Sequence, residues 1–219
     1  MKNYLFWDVD TQKDFMNENG ALYVPDAEII KPNLKRLTDF ALNKKNVYLV
    51  SSVDWHELND IEFKEFPPHC IKETEGAKKI YEIPNPLIIP QIKKSCSVFE
   101  NVKEKISDAL RNNTMEFLIQ KKQINVFENP ITEYLLQELS NKEIESVFVY
   151  GVATDFCVRA AVLSIKEFFN KNKINTNIYL IEDAIKGVIP KKIEDTLYEF
   201  KKKGVKFVKT KDVLEELIK

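Results

Sequence analysis

The chain has only three cysteines, Cys70, Cys96 and Cys157. An odd, scattered set does not make a disulfide framework, so a reducing cytoplasm is the expected compartment. Charge of one sign is also missing: 33 Lys and Arg oppose 34 Asp and Glu, a net charge of -1. Without a basic footprint, nucleic acid is not an expected partner. No apolar run approaches the roughly 18 residues of a membrane span. The first apolar run meets Asp8 and Asp10 too soon for a secretory leader. Neither a membrane anchor nor export is therefore expected. Arginine is confined to positions 36, 111 and 159, and the lysine bias reads as genome composition rather than function.

What is present is ordinary globular composition, 44% hydrophobic and 31% charged over 219 residues. That suits one domain, residues 1–219, with a sizeable core. Short β-branched runs alternate with amphipathic stretches. The runs Tyr4–Val9, Val47–Val53, Met115–Gln120, Ser146–Tyr150, Asn177–Ile181 and Val205–Val208 read as six strands. Ala27–Asn43, Val102–Asn112, Thr132–Leu139, Asp155–Phe169, Lys191–Lys203 and Asp212–Ile218 read as helices. Strand and helix in alternation predict an α/β fold, a doubly wound and mostly parallel sheet with helices on both faces. One long segment, 54–90, has poor periodicity and holds Pro67, Pro68, Pro84, Pro86 and Pro90. Such a stretch reads as a functional loop.

In sheets of this kind the chemistry sits beyond the carboxyl ends of the strands. Asp10 follows the first run, Lys121 and Lys122 the third, and Gly151-Val-Ala-Thr-Asp-Phe-Cys157 the fourth. Alone, Cys157 would read as a small buried hydrophobe, Asp10 as a loop carboxylate and Lys121 as a solvated charge. Together on one rim they make a nucleophile, a base and an ammonium. A helix start and a lysine favour thiolate. An adjacent carboxylate moves the proton, and backbone N–H groups at the turn can hold an oxyanion. This predicts nucleophilic acyl transfer through Cys157.

The only two histidines fall in the 54–90 loop. In the extended Asp54-Trp55-His56, positions i and i+2 point the same way. With His69, they form a candidate site for one divalent ion, Zn, Fe or Mn, with coordination positions left for water or substrate.

The residues Asp10-x-Gln12-x-Asp14-Phe15 with Gly151-Val-Ala-Thr-Asp-x-Cys157-Val158 resemble the isochorismatase-like cysteine hydrolases. The resemblance implies a Rossmann-like strand order and an Asp–Lys–Cys triad. Asp10 is then the acid and base and Cys157 the nucleophile. It also implies a cis peptide at Val152–Ala153 and an oxyanion hole from the Ala153 and Cys157 N–H groups. Two windows fit the family's lysine pattern, Lys93–Phe99 and Lys121–Phe127. The second is favoured because Lys121 directly follows a strand, with Lys122 one register away. Asp54-Trp-His56, Pro68-His69-Cys70 and Thr74-Glu-Gly-Ala77 are similar to the nicotinamidase/pyrazinamidase branch. That likeness implies a metal on Asp54, His56 and His69 beside the triad, Zn first, and hydrolysis of nicotinamide to nicotinate and ammonia as in NAD salvage. Many members of the branch have a further His after Asp-Trp-His; here Asp60 and Glu62 are the substitutes at hand. Phe15 is implied to stack near the substrate, and Trp55 is a second candidate pocket wall. Relatives commonly form dimers or tetramers, so a homo-oligomer is an expected state. The rival expectations are a related hydrolase of another small amide or ureido compound, and a catalytically silent binding module.

Overall fold

Both faces of the sheet are covered, which is why its inner strands read as unbroken apolar runs rather than alternating ones. In the computed structural model, which describes residues 2–93 and 97–218, β1 (Asn3–Val9), β2 (Val47–Asp54) and β5 (Ile144–Val152) are almost wholly buried. Alternate residues of β1 enter two separate cores. Leu5, Trp7 and Val9 pack with α3 (Val98–Arg111), α4 (Ile131–Ser140), α5 (Arg159–Lys171) and α6 (Pro190–Lys202). Tyr4 and Phe6 pack with α1 (Lys13–Met16), α2 (Ala27–Leu42) and the C-terminal turns, which comprise α7 (Thr210–Asp212) and a π turn at Val213–Leu217.

The sheet has seven parallel strands, not the expected six, in the order β3-β4-β2-β1-β5-β6-β7. The added strand, β3 (Leu87–Ile89), lies at the edge beside β4 (Glu116–Lys121). Three residues between Pro86 and Pro90 show no readable period, and an edge tolerates those prolines. β6 (Asn177–Lys186) and β7 (Lys206–Val208) complete the other side. Without β3 the six expected strands fall in the Rossmann order 3-2-1-4-5-6.

Other boundaries moved for local reasons. α3 starts at Val98, ahead of the expected Val102, and buries Val102, Ile106 and Leu110. The 93–112 segment is thus, in its described part, a core-covering crossover helix. Cys96 lies outside the described residues. The 54–90 loop carries a 3-10 turn, Ile61–Lys64, besides β3. No helix among the described residues is long and apolar enough to cross a membrane.

Gly151 lets β5 lie close to β1 at the strand ends. Its φ is +114°, and a Cβ there would sit 2.1 Å from the Val9 carbonyl oxygen. Gly151→Ala is expected to destabilise the protein by about 3 kcal/mol or more, through strain and a backbone clash. Urea unfolding of the purified variant checks this; an unchanged midpoint would contradict it.

Candidate active site

The strand order β4-β2-β1-β5 brings four chain-distant strand ends to one rim. Asp54 and Lys121 are the last residues of β2 and β4 and are register partners across them. Their side chains meet, Lys121 Nζ donating to Asp54 Oδ1. Asp10, just after β1, adopts a left-handed φ of 48°, a conformation uncommon outside glycine. That turn holds its carboxylate buried, with Ser52 Oγ donating to Oδ1 at 2.6 Å. Lys121 Nζ is 3.0 Å from Asp10 Oδ2 and 3.7 Å from Cys157 Sγ. Asp10, Lys121 and Cys157 are therefore together. Lys122 points elsewhere, and Lys93 is exposed.

After β5 the Val152–Ala153 peptide is cis. Cys157 was expected in the first turn of an α-helix. It lies instead in a π turn, Thr154–Val158, that runs into α5. The Ala153 carbonyl accepts from the N–H groups of Phe156 (3.0 Å) and Val158 (3.1 Å), the residues on either side of Cys157. Asp155 of the same turn accepts from the Val188 and Ile189 N–H groups at 2.9 and 3.0 Å.

The electrostatics correct one sequence expectation. A helix start and Lys121 were expected to favour thiolate. Burial instead pushes the Cys157 thiol well up; Lys121 opposes this, and the Asp10 and Asp54 carboxylates add to it. Counting only cations left out two buried anions. Burial also raises Asp10 against the pull of Lys121. Asp54 goes the other way: burial opposes its charge, but Lys121 and the histidines hold it at about 2. Burial works against the Lys121 ammonium, and its two carboxylate partners outweigh it. These directions favour a protonated thiol beside the Asp10 carboxyl, with the Lys121 ammonium between Asp10 and Asp54.

Asp54 also faces the histidines. Its Oδ2 lies 3.5 Å from His69 Nε2 and 3.9 Å from His56 Nε2. Glu62, from the 3-10 turn, brings Oε2 within 4.0 Å of His56 Nε2. The donor atoms of Asp54, His56, Glu62 and His69 all lie within 4.8 Å of one another. His69 Nδ1 is 2.8 Å from the Pro67 carbonyl, which can only accept, so Nδ1 carries a proton and the neutral ring presents its lone pair at Nε2. His56 Nε2 and Glu62 Oε2 are buried without a hydrogen-bond partner, an arrangement that a cation would satisfy. Two imidazoles and two carboxylates fit a divalent transition ion. Of the two further candidates, Glu62 joins the cluster and Asp60 does not. Asp60 stands behind His56, its Oδ2 3.1 Å from Nδ1.

Cys157, Asp54, Glu62 and His69 open into one cavity of about 110 Å³, walled by Phe15, Leu22, Phe66, Ile124, Phe156 and Val188 among others. Phe15 tilts against His69, ring centroids 5.3 Å apart. Trp55 is corrected: it does not line this cavity. It occupies a separate depression with Val53, Ile80, Tyr81 and Leu118, because alternation turns the residue between two inward side chains outward.

Sequence reasoning missed the clamps. The Gln12 amide exchanges hydrogen bonds with the Asp54 backbone, 2.7 Å each way, and donates to the Ala77 carbonyl at 2.8 Å. Asp14 accepts from the Cys70 N–H at 2.7 Å, which anchors the turn bearing His69. Both residues stood in the Asp10 motif, and polar groups recurring beside a strand end were the available signal.

The isochorismatase-domain family model matches residues 8–212. The chain is 25% identical over 199 residues to the nicotinamidase of Escherichia coli (strain K12), covering 82% of this chain and 81% of that protein. It is 23% identical over 196 residues to the nicotinamidase of Saccharomyces cerevisiae (strain ATCC 204508 / S288c), covering 76% of this chain and 82% of that one. The solved pyrazinamidase of Pyrococcus horikoshii, in complex with zinc, is similar with a TM-score of 0.69 and 28% identity, over 94% of this chain and 99% of that one.

Proposed function

The chain belongs to the isochorismatase family, and from that membership we propose that it hydrolyses a small aromatic carboxamide, nicotinamide first, to the acid and ammonia. One observation carries the reading: Cys157 shares one small, aromatic-walled cavity with Asp54, Glu62 and His69, three of the four residues of the cation cluster. At about 110 Å³ the cavity lies below the range of sites for drug-sized ligands, which restricts the substrate to something as small as a single ring bearing a carboxamide.

In the proposed reaction, Asp10 takes the Cys157 thiol proton as Sγ attacks the carboxamide carbon. The N–H groups of Ala153 and Cys157 hold the resulting oxyanion. The C–N bond then breaks, and Asp10 returns the proton to the departing nitrogen, releasing ammonia. A thioester remains on Cys157. Asp10 next deprotonates water, which attacks the thioester carbonyl; the acid leaves and the proton restores the thiol. Lys121 stays charged and keeps Asp10 aimed at sulfur. A divalent ion held by Asp54, His56, Glu62 and His69, zinc first, would supply a Lewis acid for a substrate ring nitrogen. On this reading nicotinate made here re-enters pyridine nucleotide synthesis.

The test is ammonia release from nicotinamide by purified protein, with metal content measured on the same sample. Turnover with about one ion per chain supports the reading. A folded, metal-loaded protein without turnover contradicts nicotinamide as substrate and redirects the search to other small amides.

Cation binding should depend on pH in a defined direction. Burial, then the Asp54 charge, holds the Glu62 carboxyl up to about 7. A proton on Glu62 competes with the cation, so zinc affinity should rise as pH increases through about 7. Competition with a chromophoric chelator on either side of that pH measures it. Glu62→Gln should lower the affinity and lessen the slope; an unchanged slope would remove Glu62 from the site.

A further inference from the structure

Two consecutive lysines end β4 and the segment after it, and they face different partners. Lys121 turns inward to Asp10, Asp54 and Cys157. Lys122 reaches behind the rim, its Nζ 2.8 Å from Asp60 Oδ1 and 3.7 Å from Glu57 Oε1. The other oxygen of Asp60 accepts the Glu57 N–H at 2.9 Å and lies 3.1 Å from His56 Nδ1. His56 is fully buried, and its Nε2 faces Asp54 and Glu62 without a hydrogen-bond partner.

We propose that Asp60, steadied by Lys122, is a positioning residue for the cation site: it accepts the His56 Nδ1–H and so fixes the tautomer whose Nε2 lone pair faces Asp54 and Glu62. A neutral imidazole carries one proton on either nitrogen, and the partner of one nitrogen decides which. With the proton on Nδ1, Nε2 is a ligand; with the proton on Nε2, that position is blocked. His69 solves the same problem with the Pro67 carbonyl, a partner that no side-chain substitution removes. The two ligand histidines therefore differ. One is set by backbone, the other by a carboxylate that Lys122 holds from outside the site. Asp60 is not a ligand here, since His56, Glu57 and Lys122 occupy its two oxygens. This inference rests on the metal reading of the cluster.

The experiment measures zinc affinity of wild type, Asp60→Ala, Asp60→Asn and Lys122→Met by chelator competition. It adds imidazole nitrogen NMR of each metal-free protein over a pH series, read at the high-pH plateau where each ring has lost its second proton. With two histidines in the chain, His56→Gln assigns both signals. Asp60→Ala should weaken zinc about 10- to 100-fold and move the proton of His56, but not of His69, to Nε2. Asp60→Asn, whose amide oxygen still accepts the N–H, should recover most of the affinity. Lys122→Met should fall between wild type and Asp60→Ala. Zinc binding and a His56 tautomer unchanged in Asp60→Ala would overturn the inference and leave the metal reading intact. Disturbance of both histidines would overturn it too, by showing that the loop rather than the tautomer was lost. Wild-type protein that binds neither zinc, cobalt nor manganese would overturn the metal reading itself.

Discussion

Cys157→Ala is expected to abolish amide hydrolysis, lowering turnover by about four orders of magnitude or more, while the protein stays folded. The two halves have separate causes. Sγ is the atom proposed to bond to the substrate carbon, so its loss removes the covalent path. The surrounding donors can at most orient a water. Cys157 is only partly buried, lines the cavity and touches the core only at its margin, so truncation removes one atom without opening the core interior. The stability change should stay below about 1 kcal/mol. Ammonia release and a thermal melt on the same preparation read both quantities. Substantial remaining turnover would refute the nucleophile assignment, and a large loss of melting temperature would refute the placement.

Lys121→Met should do the reverse in part, damaging stability and activity together. Lys121 is almost wholly buried and neutralises two buried carboxylates, Asp10 and Asp54. Removing one member of a buried ionic set leaves uncompensated charge, which costs about 3–5 kcal/mol. The sign of its pH dependence follows from linkage. In the metal-free wild type Asp54 is held at about 2, below its unfolded value near ~3.9. Its stabilisation is present above that unfolded value and is lost as pH falls toward 2. Asp10 is raised by burial, so it draws stability away as pH rises past the unfolded value. Without Lys121 both carboxyls behave as Asp10 does. The deficit of Lys121→Met against wild type should therefore be larger at about pH 8 than at about pH 4. Urea midpoints of the chelator-treated proteins measure it. An equal deficit at both would show that Lys121 contributes packing rather than charge.

The chain announced its rim residues because a parallel sheet converts strand ends into neighbours. Asp10, Lys121 and Cys157 could be placed together from that rule, and Asp54-x-His56 from strand alternation. The added sheet strand could not be read, since Leu87–Ile89 is too short to show a period. Glu62 was only a candidate, because its approach depends on a 3-10 turn that no periodicity marks. Phe66 reaches the cavity from a loop, where sequence spacing carries no direction, and Phe156 from the π turn, whose register an α-helical period does not give. The Cys157 thiol was misjudged for a different reason. Burial dominates it, and the Asp10 and Asp54 carboxylates that add to it are distant in sequence and act strongly only once water is excluded.

The position of β1 in the sheet also bears on how the protein is made. β1 leaves the ribosome before both of its sheet neighbours, β2 and β5. One neighbour arrives after some forty residues, and the other only when translation nears residue 152. Until then one edge of a largely apolar strand stays unpaired, and the Asp10 turn has no Cys157 beside it. The proposed reactivity therefore has to wait until β5 and Cys157 have been made, and a nascent product truncated before them lacks the sulfur. The same delay leaves the interval before β5 emerges as the span in which this chain most needs a holding chaperone.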